Sequence, residues 1–516
     1  MNRREFLGAV VAAASSLTFD RLGVAFQAKN RGAHPPQSSP AFLPNVELEL
    51  TAEPSMHEIF EGKPTATWSY RGKLLKGRPG TLQPSRSYLG PTIHLNRGDK
   101  VRIHFRNQLP ESTIIHWHGL AVPALMDGHP RLVIPRGEQY VYEFEVRNRA
   151  GHYWYHPHPD THTGSQVYRG LAGQLFVHDA EEAALRLPSA THEISLAIQD
   201  RTFQGSELAY ISSPMEAMTG FLGEQVLVNG SLNTQLELAS NVYRLRILNA
   251  SNSRIYKLAW SNGMPFTVIG TDGGLLEQAL QKPYLVLGPA ERADVIVDLR
   301  SQTVGSHLEL RSQPFPAPQM MMMGRGMRMS AVEQGAELKI LSLRVTRKEK
   351  SSFRMPERLS QPAFDDQHQA ENTGNARIFP LSFFRMQWSL NDSTFELESV
   401  KDNEIWKAGS LQLFEFQNTN RGGRGMGSMM QMAHPMHVHG GQFQVLQRTG
   451  SSGAEAMAES LSGGFTDQGW KDTVLVLPGE TVRLLMRFPE FKGLFLYHCH
   501  NLEHEDMGMM RNYRLI

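Results

Sequence analysis

Cysteine is almost absent: Cys499 is the only one in 516 residues. A lone thiol has no partner within the chain, so a disulfide framework is excluded and thiolate chemistry remains. Long apolar runs are missing too. None reaches the roughly 20 residues that a spanning helix needs, so no membrane anchor is expected in the mature form. Nor is there surplus charge of one sign, with 52 Lys and Arg against 51 Asp and Glu and a net charge of +1. That balance gives no reason to expect nucleic acid or a membrane surface as a partner. Glycine (45) and proline (29) are abundant and spread out, which favours short strands and turns over long helices. The length excludes a single core, and three or four domains are expected.

The N-terminus runs Asn2-Arg3-Arg4-Glu5-Phe6-Leu7 into a short alanine-rich apolar stretch. Paired arginines before Phe-Leu are similar to a twin-arginine export signal. Residues 1–44 are therefore expected to be signal and disordered leader. The twin-arginine export machinery becomes a partner, and the destination is periplasmic or otherwise extracytoplasmic.

Beyond the leader, alternating runs separated by turns dominate. Asp99-Lys-Val-Arg-Ile-His-Phe-Arg and Tyr140-Val-Tyr-Glu-Phe-Glu-Val have the period of two that marks half-buried strands. The pattern returns at Tyr243-Arg-Leu-Arg-Ile-Leu-Asn-Ala and again at Thr481-Val-Arg-Leu-Leu-Met-Arg-Phe. A strand–turn–strand phrase recurs with it: Ile134-Pro-Arg-Gly, Leu287-Gly-Pro-Ala-Glu and Leu477-Pro-Gly-Glu. Three copies of one antiparallel sandwich are expected, at 45–190, 191–347 and 376–516, with the polar stretch 348–375 as a linker.

Four segments concentrate histidine: His116-Trp-His118-Gly, His156-Pro-His158, His434-Pro-Met-His437-Val-His439-Gly and His498-Cys499-His500. Residues two apart on a strand share a face, and adjacent residues oppose. Each pair thus offers two imidazoles on one side, while Cys499 points away from its neighbours and His434 can turn to join it. Cys499, His504 and Met509 lie in one short stretch. Two His, one Cys and a weak Met suit a blue-copper electron-transfer site. The eight other imidazoles, divided two, three and three, suit three further coppers with an open position for a small ligand. The peptide around Cys499 joins the two regions over about 10 Å, an arrangement for collecting single electrons and delivering four to dioxygen. The remaining histidines, among them His129 and His152, are expected at the surface or in support of ligands.

At these residues the chain resembles the three-domain multicopper oxidases, and among them the bacterial cuprous oxidases and laccases, from about residue 45 to 516. The resemblance implies an all-β fold of three consecutive cupredoxin-like Greek-key β-sandwich domains, with a trinuclear cluster between the first and third. It implies four copper ions. His434, Cys499, His504 and Met509 correspond to type 1 ligands, and His116 and His437 to the type 2 pair. His118, His156 and His500 correspond to one type 3 set, and His158, His439 and His498 to the other. Asp127 resembles the family's acid near the type 2 copper and Glu505 the acid that relays protons toward the trinuclear site, and proton delivery is the favoured role of both. The blander readings are a turn-capping Asp and a residue that orients a ligand His.

The electron donor is suggested by methionine. Met320 to Met329 holds six in ten residues, and Met426, Met429, Met430 and Met432 stand just before His434. No strand or helix period survives in either stretch, and thioethers select soft Cu(I). Cuprous ion, oxidised to cupric ion as copper detoxification, is the favoured donor. Met320, Met323, Met327, Met426, Met429 and Met430 are its candidate ligands. The alternatives are a methionine loop that scavenges oxidants, a laccase taking phenols or aromatic amines at an open His504 edge, a copper-free exported scaffold of the same fold, and a simple electron carrier or copper store. Dioxygen and either Cu(I) or a small aromatic reductant are the expected small-molecule partners.

Overall fold

Alternation in the sequence becomes alternation of burial. In the strand Val46–Phe60, Val46, Leu48, Leu50 and Ala52 are buried, while the glutamates between them are not. Each large aliphatic side chain so buried stabilises the fold by about 1.5–3 kcal/mol. The computed structural model describes residues 38–211, 213–317, 332–384, 386–419, 432–450 and 453–516. Most of the expected leader, residues 1–37, lies outside the described residues. Among the described residues no helix is long and apolar enough to cross a membrane.

The first sandwich has two sheets. One orders Lys63–Lys76, Val46–Phe60, Lys100–Asn107 and Gln139–Glu145. The other orders Leu82–Gln83, Thr92–Asn96, Gly173–His178, Gly151–Pro157 and Ile115–His118. Ile103, Phe105, Trp117, Tyr142 and Leu175 belong to the core between them. Later residues form two more pairs of sheets. Leu245, Val295 and Leu341 lie in the middle core, and Phe414, Val438, Leu484 and Phe495 in the last. The fold is thus all-β, three cupredoxin-like sandwiches in succession, as expected.

The sheets are mixed, not antiparallel throughout. In each sandwich the opening strand runs parallel to a later one: Val46–Ala52 beside Val101–Asn107, Glu193–Ile198 beside Arg244–Asn249, and Arg377–Pro380 beside Phe414–Gln417. A period of two determines which face is buried but not the direction of the neighbour, which the crossover connection decides. The recurring turn phrase has a physical basis in two of its copies. The Glu291 carboxylate accepts from Gly288 N at 2.7 Å, and that of Glu480 from Leu477 N at 2.8 Å. The stretch expected as a linker packs along the middle sandwich. Leu359 is buried with Val242, Leu275 and Ile296, and Ser360 Oγ bonds the Leu275 and Leu276 carbonyls at 3.0 and 2.8 Å.

Strand register then places the histidines. His116 sits opposite His156 in the first sandwich. In the third, His437 faces His498 and Met436 faces Cys499. The short helix Leu502–Asp506 follows, capped by Asn501, whose side chain accepts from His504 N at 3.3 Å. That cap turns His504 back toward Cys499.

Candidate metal centre

Cys499 Sγ lies 3.4 Å from His434 Nδ1 and 3.7 Å from His504 Nδ1, and all three residues are buried. His504 Nε2 donates to the Met218 carbonyl at 3.1 Å, so its Nδ1 lone pair is turned toward the sulfur. The Met509 carbonyl accepts from Cys499 N at 3.0 Å, and the Met509 side chain is buried in the same apolar cluster as Cys499. Burial pushes the Cys499 thiol well up and the His434 imidazole down to about 3. A thiol in such surroundings ionises only beside a cation. One sulfur and two imidazole nitrogens suit a soft or borderline metal ion.

On the far side of Cys499 the eight histidines meet. Imidazoles from the first and third sandwiches stack, His116 on His439 and His118 on His437, with ring centroids 3.7 Å apart in both pairs. His116 Nδ1 donates to the Asp127 carbonyl and His437 Nδ1 to the Asp472 carbonyl, both at 2.7 Å. Their Nε2 atoms, 3.4 Å apart, therefore face each other with a lone pair each. His158 and His439 bring Nε2 to 3.2 and 3.1 Å from His498 Nε2. His156 Nδ1 donates to the Pro157 carbonyl, leaving its Nε2 3.4 Å from His118 Nδ1. The His500 ring lies 5.0 and 5.2 Å from those of His118 and His156, and neither of its nitrogens has a hydrogen-bond partner among the described residues.

Burial pushes seven of these imidazoles down, His156 to about 3 and His158 to about 4, with His116, His118, His437, His439 and His500 well below the ordinary value. They are neutral at neutral pH. Converging lone pairs with no proton between them repel, and cations placed among them remove that repulsion. The donor set fits metal ions with imidazole preference.

Both expected carboxylates reach the cluster. Asp127 Oδ2 is 2.7 Å from His439 Nδ1, while its Oδ1 has no hydrogen-bond partner among the described residues. Glu505 faces His498 Nδ1 at 3.0 Å and His158 Nε2 at 3.5 Å. His129 and His152 are buried, and His129 Nε2 meets Asn512 Oδ1 at 2.8 Å. The six candidate methionines, Met320, Met323, Met327, Met426, Met429 and Met430, lie outside the described residues.

Three contributors have no signal in the sequence: Asp472, Trp388 and the Met218 carbonyl. Asp472 stands in Trp470-Lys-Asp-Thr, far from any histidine motif, yet its carboxylate meets His118. Trp388 lies over His504 and His434 with ring centroids at 4.5 and 4.7 Å. Its Nε1 donates to the same Met218 carbonyl at 2.7 Å.

The backbone at Gly128 matters as well. Its φ is +86°, and a Cβ there would stand 2.4 Å from the Ile115 carbonyl oxygen and 2.7 Å from His116 Cα. Gly128→Ala is expected to destabilise the protein by about 2–3 kcal/mol and to shift His116. Denaturant midpoint and metal per chain measure this, and wild-type values in both would show slack in that loop.

Multicopper oxidase family models match residues 79–182 and 384–515. A multicopper oxidase of Staphylococcus haemolyticus is 30% identical over 89% of this chain and 86% of its own. A laccase of Bacillus subtilis is 30% identical over 90% of this chain and 93% of its own. The crystal structure of the McoA multicopper oxidase from Aquifex aeolicus superposes with a TM-score of 0.76 at 33% identity, covering 92% of this chain and 97% of that one. The chain belongs to the multicopper oxidases and is an oxygen-dependent oxidoreductase of their laccase and cuprous-oxidase type.

Proposed function

We propose that this oxidase takes single electrons from cuprous ion and reduces dioxygen to water with four coppers. His434, Cys499, His504 and Met509 would hold the type 1 ion, and His116 and His437 the type 2 ion. His118, His156 and His500, with His158, His439 and His498, would hold the type 3 pair. Bound there, the ions supply reversible one-electron chemistry and open positions for dioxygen.

The chain's own residues do the rest. Cys499 ends the strand Gly493–Cys499 between His498 and His500, so a covalent path of about 10 Å joins the two regions. Dioxygen reduction consumes four protons at a place where none of these imidazoles has more than a trace of exposed surface. Burial pushes the Asp127 carboxyl well above the ordinary range, which suits it to take up and release a proton beside His439. Burial alone would raise the Glu505 carboxyl, but His158 and His498 beside it hold it below the ordinary range, so Glu505 is placed as a carboxylate that takes up protons and passes them on there.

His504 carries the argument about the donor. It has 0% exposure, its edge closed by the Met218 carbonyl and Trp388. The helix Pro214–Thr219 brings Met215 and Met218 into the same apolar cluster as Met432 and Met507. An aromatic donor finds no bare imidazole edge to stack on, whereas thioethers suit Cu(I). The laccase reading is favoured by the name of the Bacillus relative. On the cuprous reading, Arg3-Arg4 marks export to the compartment where copper is oxidised for tolerance.

Deleting residues 319–330 separates the donors. Cuprous kcat/KM is expected to fall about tenfold, the loss of roughly 1.4 kcal/mol of binding, while phenol oxidation holds or rises. Intact cuprous oxidation would remove that segment from the site. A protein that oxidises phenols but not Cu(I) would replace the cuprous reading with the laccase one.

A further inference from the structure

A fifth group of buried donors, His118, His437 and Asp472, is also close enough to share a metal. Its carboxylate is already occupied. Arg292 grips both oxygens of Asp472, Nη1 on Oδ1 and Nη2 on Oδ2, each at 2.6 Å. A guanidinium has five N–H donors, and here all five are used. Nε donates to the His152 carbonyl at 2.9 Å, Nη1 also to the Ala290 carbonyl at 3.0 Å, and Nη2 also to the Asp272 carbonyl at 3.0 Å.

A carboxylate neutralised in this way accepts hydrogen bonds and does not recruit a cation. Asp472 Oδ1 accepts from His118 Nε2 at 3.0 Å. The proton of His118 therefore resides on Nε2, and its lone pair on Nδ1 faces His156. His116, His156 and His437 are the reverse, each donating from Nδ1 to a backbone carbonyl. The glycine after His118 belongs to the same arrangement. Gly119 has φ +86°, and a Cβ there would stand 2.4 Å from Asp472 Oδ2.

We propose that Arg292 is a positioning residue for the cluster: acting through Asp472, it sets the tautomer and rotation of His118. His118 comes from the first sandwich, Asp472 from the third, and Arg292 from the middle one, which contributes none of the proposed ligands. The middle sandwich thus keys the cluster without touching it.

This inference rests on the proposal that His118 holds copper, and one experiment separates the two. Full-length wild type, Arg292→Lys and Asp472→Asn are loaded with copper and challenged with a chelator. Total copper, the blue thiolate band and the spin-resonance spectrum are followed together. Lysine keeps the charge but has three donors for five acceptors, and asparagine keeps the shape but not the ion pair. Both variants are expected to lose cluster copper about 10–100-fold faster than wild type. Their blue band should decay at the wild-type rate, and the spin-resonance signal of the remaining cluster copper should change. Parallel loss of both copper classes, loss at the wild-type rate, or failure of both variants to fold would each overturn the positioning role. A wild-type chain without cluster copper would overturn the proposed function, and this inference with it.

Discussion

Cys499→Ser is expected to abolish the blue charge-transfer band and to lower dioxygen turnover by roughly 10⁴-fold, the scale on which loss of one member of a concerted unit is felt. Serine has nearly the same shape, so the core around Met436, Tyr497 and Met509 stays filled. Its oxygen is a hard, weakly acidic donor and does not replace a soft thiolate. A buried hydroxyl without a partner costs about 1–3 kcal/mol, so the variant should still fold. His498 and His500 keep their backbone positions, and cluster copper should remain while one copper per chain is lost. Absorption, copper content and oxygen uptake measure the three effects. Turnover at the wild-type rate would mean that electrons reach the cluster by another route, and the electron-transfer reading would fail.

The second large effect is expected at Glu505. Glu505→Gln should slow turnover at saturating donor by roughly 10²–10³-fold, within the range for a positioned acid, with copper content and the blue band retained. Glutamine keeps the length of the side chain, and its carbonyl can still face His498 Nδ1, which Glu505 faces at 3.0 Å. It carries no transferable proton. Its neighbour Asp506 cannot substitute where it stands, because its oxygens accept from Thr163 N and Gly164 N at 2.8 and 2.9 Å. Single-turnover reoxidation of the reduced enzyme, in light and heavy water, isolates the proton-dependent step. Wild-type reoxidation would reduce Glu505 to an orienting partner of His498.

The proposed ligands were legible because strands have a period of two. His116 and His118, His437 and His439, and His498 and His500 had to share faces, and Cys499 had to point away from its neighbours. The neutral imidazoles and the high thiol pKa have another origin. They come from the burial that follows when the first and third sandwiches close on each other. The direction of neighbouring strands was also not legible, because alternation is the same beside a parallel or an antiparallel partner.

By itself, then, the amino-acid sequence determined the all-β class, the threefold recurrence of the strand pattern and the grouping of sulfur and imidazole donors. All of these are local periodicities, which survive in any fragment long enough to show them. The tertiary structure alone decided that Asp472, 354 residues along from His118, accepts the hydrogen bond of that ring. It alone decided that Arg292 grips Asp472 and that the Met218 carbonyl and Trp388 close the edge of His504. Such contacts form only when separate sandwiches dock and exclude water. Inside that dry volume a polar atom must find whichever partner the packing brings within reach, however far away it lies in the chain.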